Sequence, residues 1–151
     1  MATVRDILSE KGSQVLSIGE DATVLDGALL MNEHKIGALA VLRDGRIVGM
    51  FTERDILQRV VAEQRDPSAT LVADVMTRRI TVAGVETTID EARSLMKNKR
   101  IRHLPVVDDE MRLLGLISIG DLNAHLMVDQ SKTVDAMREY IYGFGSVSVV
   151  V

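Results

Sequence analysis

Apolar positions along the chain change their period several times, and the changes come twice. Thr88 and Glu91 have the spacing of a capping box, and Ile89, Ala92, Leu95 and Met96 then fall on one helical face, which predicts a helix over Ile89–Lys99. Ala38–Leu42 and Ile47–Phe51 are short apolar runs around Asp44-Gly45, a dipeptide that supplies the positive φ angles of a tight turn, so together they predict a β-hairpin. His103–Val107 and Leu113–Ile117 predict a second one. Each hairpin runs into a further helical pattern, Glu53–Ala62 and Ile119–Val128, and short apolar runs at Val15–Ile18 and Ile80–Val82 predict a third strand in each half. Val134, Met137 and Ile141 have helical spacing and predict one more helix, ending near Gly143.

The two halves are copies of one another. Lys35–Leu57 and Arg100–Leu122 align with Lys35 on Arg100, Ile36 on Ile101, Leu39 on Leu104 and Val41 on Val106, and the match extends upstream to Thr23 on Thr88 and Met31 on Met96. After the turn one residue is inserted, and Gly49, Thr52 and Asp55 fall on Gly115, Ser118 and Asp121. The leading segments Val4–Leu8 (VRDIL) and Val72–Met76 (VADVM) also match. The expected organisation is a first unit at 1–64, a linker at 65–71 containing Pro67, a second unit at 72–130, and a C-terminal helix and tail at 131–151. Each unit reads as helix, strand, strand, helix, an α+β arrangement too small to bury much apolar area alone, so the two are expected to pack face to face about a pseudo-twofold axis.

Composition narrows the function. A chain of 151 residues with 46% hydrophobic positions suits one ordinary core, and the net charge of −4 provides no global basic field toward nucleic acid or an anionic membrane. There is no cysteine, so thiolate chemistry and disulfides are excluded. No apolar run approaches the roughly 18 residues of a membrane span, and the first residues lack a signal-peptide core, so a cytoplasmic protein is expected. His34, His103 and His125 show no metal-ligand spacing, and no nucleophile elbow, phosphate loop or zinc pattern is present, so neither catalysis nor a catalytic cofactor is expected.

The chemistry concentrates in two places. Thr52-x-x-Asp55 and Ser118-x-x-Asp121 stand at strand-to-helix junctions. A carboxylate there can accept both hydroxyls of a ribose, and the helix start offers N–H groups to a phosphate; the same residues at the same spacing also make an ordinary helix cap. Spacing leaves both readings open. In KNKRIRH, Lys97 and Lys99 suit the end of a helix, whereas Arg100, Arg102 and His103 lie at or beyond it, where the first unit has Lys35, Gly37 and Ala38.

The doubled pattern of apolar strand, turn, Gly-apolar-apolar-Thr/Ser, two residues, Asp and helix, with GMFTERDIL and GLISIGDL at equivalent places and RHLPVV and DVMT beside them, resembles a tandem pair of CBS domains. The resemblance covers nearly the whole chain. It implies a module that senses an adenosine-containing ligand, AMP, ADP, ATP or NAD(H), in clefts between the units, and that works as a homodimer or on a separate target protein. It further implies that one cleft joins Thr52 and Asp55 to Arg100, Ile101, Arg102 and His103, and the other joins Ser118 and Asp121 to Ile36, Gly37 and Ala38. An adenine slot is implied near Ile80 and Thr81, with Thr77 close to the ligand. Because Arg clamps phosphate through two parallel bonds, the Thr52/Asp55 cleft is expected to be the better phosphate site. The helices after each motif are implied to form the dimer face, through Ile56, Leu57, Val60 and Leu122. The alternatives are a structural dimerisation module, an RNA-binding protein using KNKRIRH, and an enzyme pairing Asp55 with Asp121.

Overall fold

In a computed structural model, residues 1–12 and 14–127 are described, together with Val134 and Met137. The element order is α1 (Val4–Lys11), β1 (Ser17–Gly19), α2 (Val24–His34), β2 (Ala38–Arg43), β3 (Arg46–Thr52), α3 (Glu53–Ile56), α4 (Val72–Val75), α5 (Ile89–Lys99), β4 (His103–Val107) and β5 (Leu113–Ser118), followed by α6 over 119–127. The chain is an α+β protein, and its repeat is visible atom by atom.

Both long helices begin on a Thr cap. Thr23 Oγ1 accepts from Asp26 N and Thr88 Oγ1 from Glu91 N, each at 3.1 Å, and the N3 carboxylate reaches back to the cap N–H. Both end on a left-handed residue, Lys35 at φ 54° and Arg100 at φ 54°. Hairpin β2–β3 turns on Asp44 and Gly45, both at positive φ, as the Asp-Gly pair requires. Each hairpin carries a register shift at the same place, between Val41 and Leu42 and between Val106 and Val107.

Four sequence expectations are corrected. The first short strand is Ser17–Gly19, running parallel to β2, and not Val15–Ile18. Its counterpart is not a strand at Ile80–Val82: pairing there shrinks to one parallel bridge, in which Ala83 N donates to Pro105 O and Val107 N to Ala83 O. Pro105 lacks an N–H on that side, so no full ladder forms. The Glu53–Ala62 helix is α-helical only through Ile56 and continues as a wider π turn over Leu57–Val61, closed by Ala62 N on Leu57 O. Val60 and Leu122, expected on a dimer face, are fully buried in their own repeats; Leu57 (62% exposed), Val61, Leu25 and Leu29 are among the apolar side chains at the surface. The expected helix around Val134, Met137 and Ile141 and the tail beyond it fall largely outside the described residues; Val134 and Met137 are helical and exposed.

The leading segments are exchanged between repeats. Val4 and Ile7 of α1 lie in a core with Ile89, Ala92, Met96, Leu104, Val106, Ile117 and Leu122, whereas Val72, Val75 and Met76 lie in the other core with Val24, Met31, Leu39, Val41, Phe51 and Val60. The backbone bonds are reciprocal: Val4 N donates to Thr87 O and Val72 N to Ala22 O, Arg5 N to Val85 O and Ala73 N to Glu20 O. Each buried aliphatic contributes roughly 1.5–3 kcal/mol, so the exchange is held firmly. A third cluster joins the sheets face to face, with Ala38, Ala40, Ile47 and Met50 from one hairpin against Val107, Leu113 and Leu116 from the other. The 65–71 segment is itself ordered: Asp66 Oδ1 accepts from Ser68 N and Oγ, Thr70 Oγ1 donates to Asp66 O, and Pro67 O and Thr70 O cap the first turn of α2.

Candidate functional site

The exchange decides what surrounds each hydroxyl–carboxylate motif. After Val75 the chain extends, and Thr77 pairs with Met50 on β3 through Met50 N to Thr77 O at 2.9 Å and Thr77 N to Met50 O at 2.8 Å. Arg59 secures that crossing by donating to Val75 O and Met76 O. Thr77 Oγ1 thereby donates to Asp55 Oδ1 at 2.9 Å, while Asp55 Oδ2 accepts from Thr52 N at 3.0 Å and from Thr52 Oγ1 at 3.2 Å. Asp55 is 5% exposed. Both of its oxygens are engaged, so this motif acts as a helix cap and a strut between repeats.

The second motif is built differently. The first repeat has three more residues than the second between its leading segment and its first strand, counted from Leu8 to Ile18 against Met76 to Ala83. They prolong α1 to Lys11, past the point where α4 has already ended. Lys11 Nζ crosses to the other repeat and donates to Leu116 O at 2.8 Å and to Asp121 Oδ2 at 2.7 Å. Asp121 Oδ2 also accepts from Ser118 N at 2.8 Å. Burial pushes the Asp121 carboxyl up, but bonds from Lys11 and Ser118 and the Lys11 charge outweigh it and hold the group below the ordinary aspartate range. This motif is a partly exposed ion pair, whereas the other is a closed carboxylate whose donors, Thr52 and Thr77, are neutral.

His103 stands beside it, paired in register with Ser118. Burial and then the Lys11 and Arg102 charges lower its pKa, while Asp121 and Glu53 oppose the shift. Glu53 belongs to the first repeat, so the charges around His103 come from both. In the folded state the imidazolium is disfavoured, so the unfolded chain takes up the proton first as pH falls below the ordinary value of about 6.5. The corresponding stability is complete above that value and is lost as pH falls through the folded pKa. We expect the melting temperature of wild type to drop between about pH 7 and 5 more steeply than that of His103→Gln; parallel curves would show that His103 does not sense this charge field.

The other sequence-derived positions divide. Gly37 O accepts from Glu53 N and Arg102 O from Ile119 N, so each strand start is stitched to the helix of its own repeat. The Glu53 carboxylate lies over Gly37, where a Cβ would meet it at 3.1 Å. Ile36 and Ile101 donate their N–H groups to Met31 O and Met96 O and pack on their own cores; Ala38 is buried between the sheets, with Ile80 against that cluster and Thr81 next to it. Arg100 caps α5 and is exposed. No hydrogen bond joins Asp55 to Arg102 or His103 among the described residues. Sequence reasoning missed Lys11 and Glu53; the extra residues after VRDIL were the available signal for Lys11. No group of three or more metal-binding side chains and no helix long and apolar enough to cross a membrane occurs among the described residues.

Comparison with known proteins agrees with this architecture. The CBS domain matches residues 4–62 and again residues 72–128. The chain is 34% identical over 131 residues to the CBS domain-containing protein YhcV of Bacillus subtilis, covering 87% of this chain and 90% of that one. The crystal structure of the CBS-domain containing protein ATU1752 from Agrobacterium tumefaciens superposes with a TM-score of 0.76 at 34% identity, covering 82% of this chain and 98% of the other. A CBS domain pair of the protein MJ0100, solved with 5′-methylthioadenosine and S-adenosyl-L-methionine, superposes with a TM-score of 0.76 at 23% identity over 85% of this chain and 98% of that one, a likeness of fold. Two copies of one repeat, reciprocally exchanged and each matched by the same domain, place this chain in the family of tandem CBS-domain proteins.

Proposed function

We propose that the chain is a stand-alone regulatory module that binds an adenosine-containing ligand, AMP, ADP, ATP or NAD(H), between its repeats and signals occupancy to a partner, without catalysing a reaction. The observation that carries this reading is the Ser118/Asp121 cluster. There a carboxylate suited to ribose stands at a helix start, beside one cation from the exchanged leading helix and a half-buried histidine facing the other repeat. A ligand there would touch segments belonging to both repeats, and a change in their relative position is a signal that a partner can read. The adenosine compounds seen on the CBS pair of MJ0100 support the choice of ligand class, since the fold is shared. The exposed Leu25, Leu29, Leu57 and Val61 supply an apolar surface for a second copy.

In this reading the two motifs have different roles. Asp55 is closed and satisfied, so Thr52, Asp55 and Thr77 serve chiefly to hold the repeats together, and the partly exposed Ser118/Asp121 cluster is taken as the ligand site. This reading departs from the expectation that Arg102 and His103 make the Thr52/Asp55 cleft the better phosphate site. A thermal-shift series with adenosine, AMP, ATP, NADH and GMP tests the reading. A ligand at a hundred times its Kd adds about 2.7 kcal/mol, and each kcal/mol raises Tm by roughly 2–4 °C in a protein of this size. Adenosine compounds should shift Tm by several degrees and GMP should not; no shift with any of them would leave a dimerisation scaffold.

A further inference from the structure

Lys11 Nζ has three donors, of which Leu116 O takes one and Asp121 Oδ2 another. The ammonium is thus fixed in position by a backbone carbonyl and a carboxylate, on a helix whose Val4 and Ile7 are anchored in the second repeat's core. It stands beside the ribose-reading carboxylate of the proposed site, and it is only partly exposed. Among the described residues the other motif has no such cation hydrogen-bonded to its carboxylate: Thr77, a neutral hydroxyl, fills that role. The difference traces to the three additional residues that prolong α1, and it is therefore particular to one repeat.

We propose that Lys11 is the specificity-determining residue of the Ser118/Asp121 cleft and selects ligands that carry a phosphate next to the ribose over the neutral nucleoside. Its third donor and its charge face an anion held beside Asp121, and the carboxylate keeps the ammonium placed for that contact. A neutral nucleoside gains nothing from Lys11 and must share Asp121 with it. The cleft thereby senses phosphorylated adenosine, and the last turn of α1 is the element that registers its arrival. This inference rests on the adenosine-ligand reading above.

The experiment is calorimetric titration of the full chain with AMP and with adenosine, in wild type, Lys11→Met, Lys11→Arg and Asp121→Asn. A charge-assisted bond to phosphate corresponds to a roughly ten- to hundredfold change in affinity. Lys11→Met should lose that much for AMP and nothing for adenosine, Lys11→Arg should keep the preference for AMP, and Asp121→Asn should weaken both ligands. An unchanged AMP-to-adenosine ratio in Lys11→Met overturns the role of Lys11 while leaving the adenosine site standing. Unaltered binding in Asp121→Asn places the ligand elsewhere and also overturns it. Failure of wild type to bind either compound removes the adenosine reading itself, and this proposal with it.

Discussion

Asp55→Ala is expected to lower the stability of the chain by about 2–4 kcal/mol, before any ligand is considered. The carboxylate accepts from Thr52 N, Thr52 Oγ1 and Thr77 Oγ1 while only 5% exposed, so its loss strands donors that water reaches poorly. A lost helix cap costs about 0.5–2 kcal/mol, and a buried donor left unpaired about 1–3 kcal/mol. The bond to Thr77 also ties the exchanged segment to α3, so the damage extends to the contact between repeats. Urea unfolding measures it. Asp55→Asn, which keeps an acceptor, should lose less, and a loss below about 1 kcal/mol in Asp55→Ala would contradict the strut assigned here.

Two equivalent glycines should respond unequally to the same change. A Cβ on Gly49 would stand 2.8 Å from Met76 Sδ and 2.9 Å from the carbonyl oxygen of Thr77. That carbonyl is pinned by Met50 N, and Thr77 N is bound in turn to Met50 O, so relief requires breaking backbone bonds. Overpacking costs about 1–3 kcal/mol and each lost hydrogen bond about 1 more, so Gly49→Ala should lose about 2–4 kcal/mol. At Gly115 the Cβ would meet Leu8 Cδ2 at 2.5 Å, the far end of a side chain that can rotate aside. Gly115→Ala should therefore cost about 1 kcal/mol. Equal losses by urea unfolding would mean that the Met76–Thr77 crossing is not held as rigidly as its bonds imply.

Much of this was legible in the sequence for local reasons. The Thr88/Glu91 box and the apolar face after it gave α5 its bounds, and Asp44-Gly45 gave the first hairpin its turn, because caps and tight turns are encoded by neighbouring residues. The repeat made the fold legible from two matching motifs. What was hidden depends on contacts distant along the chain. VRDIL and VADVM matched, but nothing local says that each packs on the opposite repeat; only the cores of Val4 with Leu104 and Val72 with Phe51 do. Thr-x-x-Asp and Ser-x-x-Asp looked equivalent because their spacing is equivalent. Their partners, Thr77 and Lys11, arrive from segments 22 and 110 positions away. Val60 and Leu122 were placed at an interface from the family resemblance, whereas both are fully buried in the cores of their own repeats.

The central claim is that an adenosine ligand sits at the Ser118/Asp121 cleft, and a crystal structure of the protein grown with AMP tests it most directly. The account expects ribose hydroxyls within hydrogen-bonding distance of the Asp121 carboxylate and the phosphate on the Lys11 side, with the Thr52–Asp55–Thr77 bonds intact. AMP bound at Asp55 with Thr77 displaced, or no AMP between the repeats at all, would contradict it.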